Sequence, residues 1–368
     1  MVKLIAFYLP QFHCIPENDK WWGEGFTEWV NVKKAKPLFW GHYQPRVPYK
    51  EDYYNLLDDS VIEKQMKMAK KYGISGFCFY HYWFGGKKLL EKPVERLLNN
   101  KKADLPFCLS WANEAWTKTW HGPGGEMEVL IRQQYGEKAE WEEHFNYLLQ
   151  FFKDERYIKV DNKPMFLIYR SGAMPKCKDM LRYWNDLAKE NGFGGMHFVD
   201  MLTVYDYKTN KSIFSATVDF EPSKWRRGEN AQSRFLLELK NQLSNVFSEV
   251  NIFNRFLCYI INYEKINKEM LNSKHKKNEY RGLFVNYDDT PRRGKKSTIT
   301  KGSTPKRFEY FLTKNLRKSV EEGNGYLFIN AWNEWGEGNY LEPDRKNGYA
   351  YLHAVKRALL NYKFKGEQ

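Results

Sequence analysis

Short apolar runs bounded by turn residues recur along the whole chain, and stretches with the apolar spacing of amphipathic helices separate them. The apolar runs predict eight strands, at residues 3–9, 76–83, 105–111, 164–169, 196–202, 216–221, 282–287 and 325–331. Helices are predicted between most of them, among others at residues 60–72, 137–153, 177–191 and 305–322. This alternation is typical of a parallel α/β sheet, and eight such strands favour a closed (β/α)₈ TIM barrel over an open doubly wound sheet.

Two longer segments interrupt this alternation. Residues 13–58 form a Trp- and Pro-rich insertion after the first strand. Residues 222–280 form a second insertion after the sixth strand, and its periodic apolar stretch at 235–250 predicts extra helices. Either insertion can cover a pocket at the end of a barrel. Because no linker separates them from the rest, residues 1–368 are expected to form one barrel domain.

Aromatic residues make up 17% of the chain, with 13 Trp, 25 Tyr and 25 Phe. Many of them stand beside Asn, Glu, His and Gly rather than inside apolar runs, which predicts cavity walls as well as core packing. Sugars suit such walls, because their C–H faces stack on rings while amides and carboxylates bind their hydroxyls. The composition therefore favours an oligo- or polysaccharide as the partner, although a large core also accounts for many of these rings.

The net charge of +14 admits nucleic acid, an anionic membrane or an acidic ligand as a partner. No helix-turn-helix pattern, zinc-binding Cys/His spacing or phosphate-binding Gly-rich loop accompanies the charge, so a nucleic-acid partner is not expected. No His-x-x-x-His spacing suggests a metal, and no cofactor is expected. The run from Arg292 to Arg307 holds seven Lys or Arg and follows the seventh strand, where many barrels bind phosphate. A phosphate or acidic-glycan contact is conceivable there, but a solvated or disordered loop is the favoured interpretation.

Compartment is predicted from the cysteines and the N-terminus. The five cysteines form no C-x-x-C pair, which is typical of reduced core thiols. The first apolar run is too short for a signal peptide, and no segment has the length needed to span a membrane. A cytoplasmic location is expected if Met1 is the natural start.

Polar and aromatic residues gather where the predicted strands end. In a barrel these carboxyl ends face one rim, where active sites are built. Glu28 and Trp29, in the first insertion, are within reach of the same rim. The residues predicted to bind substrate are Tyr8, Glu28, Trp29, His81, Trp83, Asn113, Glu114, Trp116 and Asn333. A purely structural role is an equal alternative for His81. For Tyr8, Trp83 and Trp116 the equal alternative is packing in the core.

Two carboxylates after the eighth strand are the predicted catalytic pair. Cleavage of a glycosidic bond needs one acid to protonate the departing oxygen and a second carboxylate as base or nucleophile. Glu334 and Glu337 are three residues apart, which in a turn or helix brings their side chains to roughly 5–6 Å. The flanking Gly336 and Gly338 permit a tight loop. A rival assignment pairs Glu334 with Glu114 across the barrel, although Glu114 is preferred as a residue that binds sugar hydroxyls.

Five segments resemble a known family. They read AFYLPQFH, WWGEGFTEW, YHYWF, WANE and WNEWGEG, at residues 6–13, 21–29, 80–84, 111–114 and 332–338. Together they resemble the WbsX family, which is described as glycosyltransferase-like, is associated with bacterial surface polysaccharide loci such as those for lipopolysaccharide, and is distantly related to the endo-α-mannosidases of glycoside hydrolase family 99. The resemblance extends from the first strand to the last.

The resemblance implies a role for each carboxylate. Glu334 corresponds to the base that takes the proton of the sugar 2-hydroxyl, giving an anhydro-sugar intermediate, and Glu337 to the acid/base at the leaving oxygen. The expected function is a glycoside hydrolase-like enzyme acting on α-linked, mannoside-like glycans. A glycosyltransferase that builds O-antigen or capsular polysaccharide is the alternative, and a non-catalytic glycan-binding barrel is a third possibility.

Overall fold

Eight parallel strands pair side by side in a closed ring in the computed structural model, which describes residues 1–117, 128–205, 213–227 and 258–363. The first strand pairs with both the eighth and the second, and each of the others pairs with its sequence neighbours. The described residues therefore form a (β/α)₈ TIM barrel, as predicted. The strands are β1 Lys3–Tyr8, β2 Gly76–Phe84, β3 Phe107–Trp111, β4 Lys163–Ile168, β5 His197–Leu202, β6 Ala216–Asp219, β7 Glu279–Phe284 and β8 Tyr326–Asn330.

Burial on both faces explains why these strands are almost continuously apolar. Every residue of β3 and of β8 is buried. The largest difference from prediction concerns β7, which begins three residues before the expected 282–287. The polar residue responsible is Arg281, which is buried in the strand because its guanidinium binds Glu322 and two backbone carbonyls.

Helices surround the barrel between the strands. The predicted helices at 60–72, 137–153, 177–191 and 305–322 are confirmed to within one residue at each end. Asp58 and Thr304 begin two of them by accepting a hydrogen bond from a backbone N–H of the first turn. The helices are α1 Pro16–Trp22, α2 Glu28–Lys34, α3 Asp59–Tyr72, α4 Lys92–Asn99, α5 Lys138–Phe152, α6 Cys177–Glu190, α7 Ser223–Arg227, α8 Tyr263–Asn272, α9 Thr290–Arg293, α10 Pro305–Glu321 and α11 Ala350–Lys363.

Further short strands lie outside the barrel ring. Among them, Tyr259–Asn262, which precedes α8, pairs in parallel with Thr298–Lys301, which follows α9. These two strands form a small separate sheet. The remaining short strands are Lys87–Leu89, Trp116–Thr117, Val129–Ile131, Lys159–Val160, Asn333–Glu334 and Asn339–Tyr340.

The insertion at residues 13–58 lies over the carboxyl ends of the strands. Its helices α1 and α2 and the 3₁₀ turn Tyr49–Glu51 belong to it, and Trp29 packs on the ring of Trp335, which follows β8. The insertion at 222–280 contains α7 and α8, whereas the helices predicted at 235–250 lie outside the described residues. The expectation of one domain over residues 1–368 stays a prediction.

All five cysteines carry free thiols. Cys78 and Cys108 are buried and face each other in register on β2 and β3, whereas Cys14 is exposed and is therefore no core residue. Within the described parts of the chain, none of the helices has the length and apolar character needed to cross a membrane.

Candidate active site

A cavity of about 1430 Å³ opens at the carboxyl ends of the barrel strands. It is larger than the roughly 300–1,000 Å³ of pockets for small ligands, so it has room for several sugar rings. Its walls are strongly aromatic, as the composition predicted. The rings that line it are those of Tyr80, Tyr82, Phe84, Trp116, Tyr169, Tyr205, Phe220 and Tyr287.

Glu334 and Glu337 both line this cavity. Glu334 ends a two-residue strand that pairs with Asn339–Tyr340, and Glu337 ends the 3₁₀ turn Trp335–Glu337 that follows. This tight turn is the geometry that the spacing of the two residues predicted. Trp335 stacks on Tyr340 with ring centroids 3.7 Å apart, which holds the turn against the core.

The guanidinium of Arg292 binds three carboxylates at once. Its Nε donates to Glu28 Oε1 at 2.9 Å, its Nη1 to Glu337 Oε1 at 2.8 Å and its Nη2 to Glu334 Oε1 at 2.5 Å. Because Glu334 and Glu337 bind the two terminal nitrogens of one guanidinium, their carboxyl groups are neighbours. Charge-assisted bonds of this kind fix geometry as well as charge.

Three carboxylates around one cation cannot all ionise easily. Burial raises the pKa of Glu334 to about 8, and the nearby charges of Glu337 and Glu28 add to this while Arg292 opposes it. Burial also disfavours the charge on Arg292, yet the three carboxylates hold its pKa well above the ordinary value. The pKa of Glu334 thus lies near the pH at which enzymes work, so its carboxyl group can both accept and release a proton there, as a general base must.

The turn that carries the pair has no room for a side chain at its centre. A Cβ atom on Gly336 would lie 1.9 Å from Glu28 Oε1 and 2.8 Å from Arg292 Nε. Gly338 has a φ of +57°, and a Cβ there would lie 2.6 Å from Arg46 Nε. Both positions require glycine because neighbouring side chains occupy the space that a Cβ atom would need. Gly338 is also required because its backbone is left-handed, a conformation that other residues rarely adopt.

Asp288 holds the turn from the side of β7. Its backbone N–H donates to the carbonyl of Glu337 at 2.6 Å, and its carboxylate accepts hydrogen bonds from His42, Gln44 and Arg46. Although burial favours the neutral acid, the hydrogen bond from His42 and the charge of Arg46 lower the pKa of Asp288 to about 2. The first insertion thereby anchors the loop that positions Glu337.

Two of the predicted binding residues line the cavity. Trp116 stacks face to face on Tyr82, with ring centroids 5.5 Å apart and planes within 4°. Glu114 lies in the same cavity, where Arg170 Nη1 donates to its carboxylate at 3.3 Å. Its side chain is 41% exposed and faces open space, as suits a residue that binds hydroxyls. Glu28 does not line the cavity. It lies beneath the turn and accepts a hydrogen bond from Arg292, which does line the cavity.

His81 and Trp83 lie outside the cavity, which corrects the prediction for both. His81 Nε2 is 2.7 Å from His144 Nε2, and Trp83 stacks on the His144 ring at 4.4 Å, on the side of β2 that faces α5. Burial lowers the pKa of His81 to about 3, so its ring is neutral. Because side chains alternate along a strand, the neighbouring Tyr80 and Tyr82 are the ones that line the cavity.

Tyr8 and Trp29 are also core residues rather than platforms for a sugar. The Tyr8 hydroxyl donates to Gln65 Oε1 at 2.6 Å, and its ring packs on Phe79 at 4.4 Å. The Trp29 ring packs on Phe12, and its Nε1 donates to a backbone carbonyl. Their prediction relied on aromatic character at a strand end, which core rings share.

Asn113 and Asn333 hold backbone in place. Asn333 binds both the N–H and the carbonyl of Leu9, at 2.7 and 3.0 Å, and so joins the segment that carries Glu334 to the end of β1. Asn113 binds the N–H and the carbonyl of Arg170 in the same way, at 2.7 and 2.9 Å. Both side chains are fully buried, so neither is free for a sugar.

The run from Arg292 to Arg307 is ordered, which corrects the interpretation as a disordered loop, whereas charged side chains such as Arg293 and Arg307 are exposed to solvent as expected. It comprises the end of α9, a 3₁₀ turn Gly294–Lys296, the strand Thr298–Lys301 and the start of α10. Arg292 is buried among the glutamates and is not a phosphate ligand. Sequence reasoning missed its role, as well as that of Tyr169, which lines the cavity after β4. Tyr287, at the end of the seventh predicted strand, lines the cavity too.

No group of three or more His, Cys, Asp or Glu side chains within the described ranges has the arrangement of a metal site.

The chain matches the glycosyltransferase WbsX family model over residues 4–355. It belongs to this family. Proteins called WxcX, described as uncharacterized, from two strains of Xanthomonas campestris pv. campestris are 35% and 34% identical over 361 residues, which is 97% of this chain. The chain spans about half the length, 49%, of these curated relatives.

Solved structures share the barrel. An endo-α-mannosidase of family GH99 from Bacteroides thetaiotaomicron superposes with a TM-score of 0.56 at 14% identity and covers 100% of both chains. A glycoside hydrolase-like protein superposes with a TM-score of 0.58 at 12% identity over 97% of this chain and 93% of its own. At these identities the likeness concerns the fold.

Proposed function

We propose that this protein is an enzyme that cleaves an α-linked glycan in bacterial surface polysaccharide metabolism, with Glu334 and Glu337 as its catalytic carboxylates. One observation carries the proposal: two glutamates that flank one tight turn, three residues apart, share a guanidinium at the wall of a large aromatic cavity. The family membership and the barrel shared with endo-α-mannosidases support it.

The two carboxylates differ in environment, which suits different roles. Glu334 is buried and its pKa is raised to about 8, so it is a stronger base than an ordinary glutamate. Glu337 has a side chain that is 26% exposed and faces the cavity, where a glycosidic oxygen can reach it. A base that removes a hydroxyl proton and an acid at the leaving oxygen need these two environments.

In the proposed reaction Glu337 donates its proton to the glycosidic oxygen while Glu334 takes the proton of the 2-hydroxyl. As the C1–O bond breaks, the 2-oxygen forms a bond to C1 and gives a 1,2-anhydro sugar. Water then attacks C1 and loses its proton to Glu337, and Glu334 returns its proton to the 2-oxygen. Both carboxyl groups are thereby restored, and the product keeps the configuration of the substrate.

Arg292 has a positioning role in this scheme. Its guanidinium donates a hydrogen bond to each of the two carboxylates and so fixes their separation. Its charge limits how far burial raises the pKa of Glu334, so that the base can still ionise under working conditions. The ring of Trp116, stacked on Tyr82, offers a flat apolar face for a sugar ring near the pair.

A glycosyltransferase is the second candidate, favoured by the family's description and by the basic character of the cavity. The same carboxylates serve if an acceptor hydroxyl replaces water in the second step. A non-catalytic glycan-binding barrel is disfavoured by the presence of both carboxylates and of the arginine that orients them.

The test is an activity panel analysed by mass spectrometry. Wild-type protein is incubated with α-mannosides and bacterial surface glycans, and separately with nucleotide sugars plus acceptor glycan. Release of sugar without a nucleotide sugar supports the hydrolase, whereas product that forms only with a nucleotide sugar favours the transferase. Glu334→Gln and Glu337→Gln are each expected to abolish turnover, and Glu321→Gln, on the exposed face of α10, is the control. Full activity of Glu337→Gln would contradict the assignment.

A further inference from the structure

The cavity carries an excess of positive charge. Among the described residues that line it, eight are Lys or Arg and four are Asp or Glu. The acidic ones are Glu114, Asp289, Glu334 and Glu337, and the basic ones are Lys34, Lys36, Arg170, Arg226, Arg292, Arg293, Lys295 and Lys296. A neutral glycan needs no such excess, and cations drawn together in one cavity repel each other unless an anion joins them.

Each acidic side chain of the cavity has an arginine as its neighbour. Arg292 binds Glu334 and Glu337, Arg293 Nε lies 3.2 Å from Asp289 Oδ2, and Arg170 Nη1 lies 3.3 Å from Glu114. Three arginines thus pair with the four acidic side chains. The described lining holds five other basic side chains and no other acidic one, so the lining as a whole is positive.

Three of the arginines belong to one side of the cavity. Arg170 lies over the ring of Tyr205, with Cζ 4.3 Å from its centroid. Arg293 and Arg226 both lie near Asp289, where their positive charges oppose the rise that burial causes in the pKa of its carboxyl group. Asp288, which precedes Asp289 in the chain, donates its backbone N–H to the carbonyl of Glu337. The arginines near Asp289 therefore border the turn that carries Glu337.

The group retains unused hydrogen-bonding capacity. Arg170 Nε is buried and has no hydrogen-bond partner among the described residues, although its side chain is 30% exposed toward the cavity. The Arg293 side chain is 55% exposed. Guanidinium groups bind carboxylate and phosphate oxygens with paired, planar N–H donors.

We propose that Arg170, Arg226 and Arg293 form an anion-binding subsite beside Glu337, which takes a carboxylate or phosphate group carried by the glycan substrate. The inference rests on the proposed function, since it names the class of substrate for the same cavity. An acidic glycan in this subsite places its charged sugar next to the acid/base, and the arginines also steer such a substrate into the cavity.

Binding to the Glu337→Gln variant tests the subsite without turnover. Calorimetry compares an α-linked oligogalacturonide with the same oligosaccharide after reduction of its carboxyl groups, and mannose 1-phosphate with mannose. The acidic probe of at least one pair is expected to bind about tenfold more tightly than its neutral partner, which corresponds to one or two charge-assisted hydrogen bonds. The pair that shows the preference identifies carboxylate or phosphate as the anion.

Substitutions in the same background assign the preference to the arginines. Arg226→Gln and Arg170→Gln are each expected to reduce it severalfold without changing the affinity for the neutral sugar. Arg182→Gln, at an exposed position of α6, is the matched control and is expected to leave it unchanged. A thermal melt checks that each variant is folded, and two different arginines keep the test valid if one variant is unstable.

The outcomes separate this inference from the proposed function. Equal affinity for acidic and neutral probes in both pairs, or a preference that survives both arginine substitutions, would overturn the subsite even if wild-type protein cleaves glycans. A preference that depends on the arginines in a protein without glycosidase or transferase activity would support the subsite and leave the catalytic proposal refuted.

Discussion

Replacing Arg292 by methionine removes the one cation that three glutamates share. Methionine approximates the length of the arginine stem but has no charge, so the carboxylates of Glu28, Glu334 and Glu337 are left facing each other. The side chains of Glu28 and Glu334 are 2% and 7% exposed, so water cannot replace the lost partner. The variant therefore tests whether the cluster holds the catalytic turn together.

The expected loss of unfolding free energy is about 3–5 kcal/mol, which is the cost of removing one partner from a buried ion pair. Glu28 and Glu334 account for most of it because they are the buried partners. Glu337, with a side chain 26% exposed, contributes on the scale of a surface pair, about 1 kcal/mol or less. Arg357→Met is the control: it breaks an exposed Arg–Glu contact of 2.7 Å and is expected to cost less than about 1 kcal/mol.

The loss depends on pH in a defined direction. The pKa of Glu334 is about 8 in the folded protein, whereas an ordinary glutamate, as in the unfolded chain, has a pKa of 4.5. Between these two pH values the folded state therefore keeps a proton that the unfolded state loses. This group's contribution is therefore full below pH 4.5 and declines as pH rises toward 8. Without Arg292 the pKa of Glu334 rises further, so the decline continues to higher pH and the variant is least stable in alkali.

Urea unfolding at pH 5, 7 and 8.5 measures these quantities, with circular dichroism as the signal. The difference between wild type and Arg292→Met should grow from the lowest to the highest pH. Adding Glu28→Gln to Arg292→Met should restore part of the stability, because one of the stranded carboxylates is then neutral. A loss below about 1 kcal/mol, or one that is the same at all three pH values, would refute the reasoning.

Three further predictions concern the turn and the cavity. Gly336→Ala is expected to cost about 1–3 kcal/mol in urea unfolding and to abolish activity, because its Cβ would meet Glu28, whereas Gly325→Ala, with open space around it, should be tolerated. Trp116→Ala should weaken binding of an α-linked oligosaccharide about tenfold in calorimetry while leaving kcat nearly unchanged; a fall in kcat alone would contradict its role as a stacking platform. Asp288, whose pKa is lowered to about 2 from 3.8, stabilises the fold above pH 3.8 and loses this effect as pH falls toward 2, so the stability difference between wild type and Asp288→Asn should shrink only below about pH 4.

The barrel was predictable because its signal is local and repeated. Each strand is an apolar run that must be buried on both faces, and the alternation with amphipathic helices leaves few alternative folds. The strand with the largest error in its predicted start begins with Glu279 and contains Arg281, which is buried because Glu322 binds its guanidinium. Because Glu322 is 41 positions away from Arg281, the local pattern of apolar residues does not show that the arginine can be buried in a strand.

The site was only partly predictable. Glu334, Glu337, Glu114 and Trp116 line the cavity as expected, because their strand ends converge on one rim. Their roles in binding and catalysis stay predictions. On β2 both faces carry rings, so alternation alone cannot tell which one faces the cavity, and the wrong face was chosen.

Arg292 illustrates the limit of charge patterns. It stands in a run of basic residues, which is typical of a solvated segment, and its burial depends on Glu28, 264 positions earlier in the chain. Asn113 and Asn333 show the converse error. Both were expected to bind sugar, yet the side chain of each instead binds the backbone N–H and carbonyl of a residue in another segment of the chain.

The most direct test of the central claim is a crystal structure of Glu337→Gln with an α-linked oligosaccharide bound. The account predicts a glycosidic oxygen within hydrogen-bonding distance of the side chain at 337, with the 2-hydroxyl of the adjoining sugar on the Glu334 carboxylate. A glycan bound in the cavity with every glycosidic oxygen out of reach of residues 334 and 337 would contradict the assignment of this pair as the catalytic carboxylates.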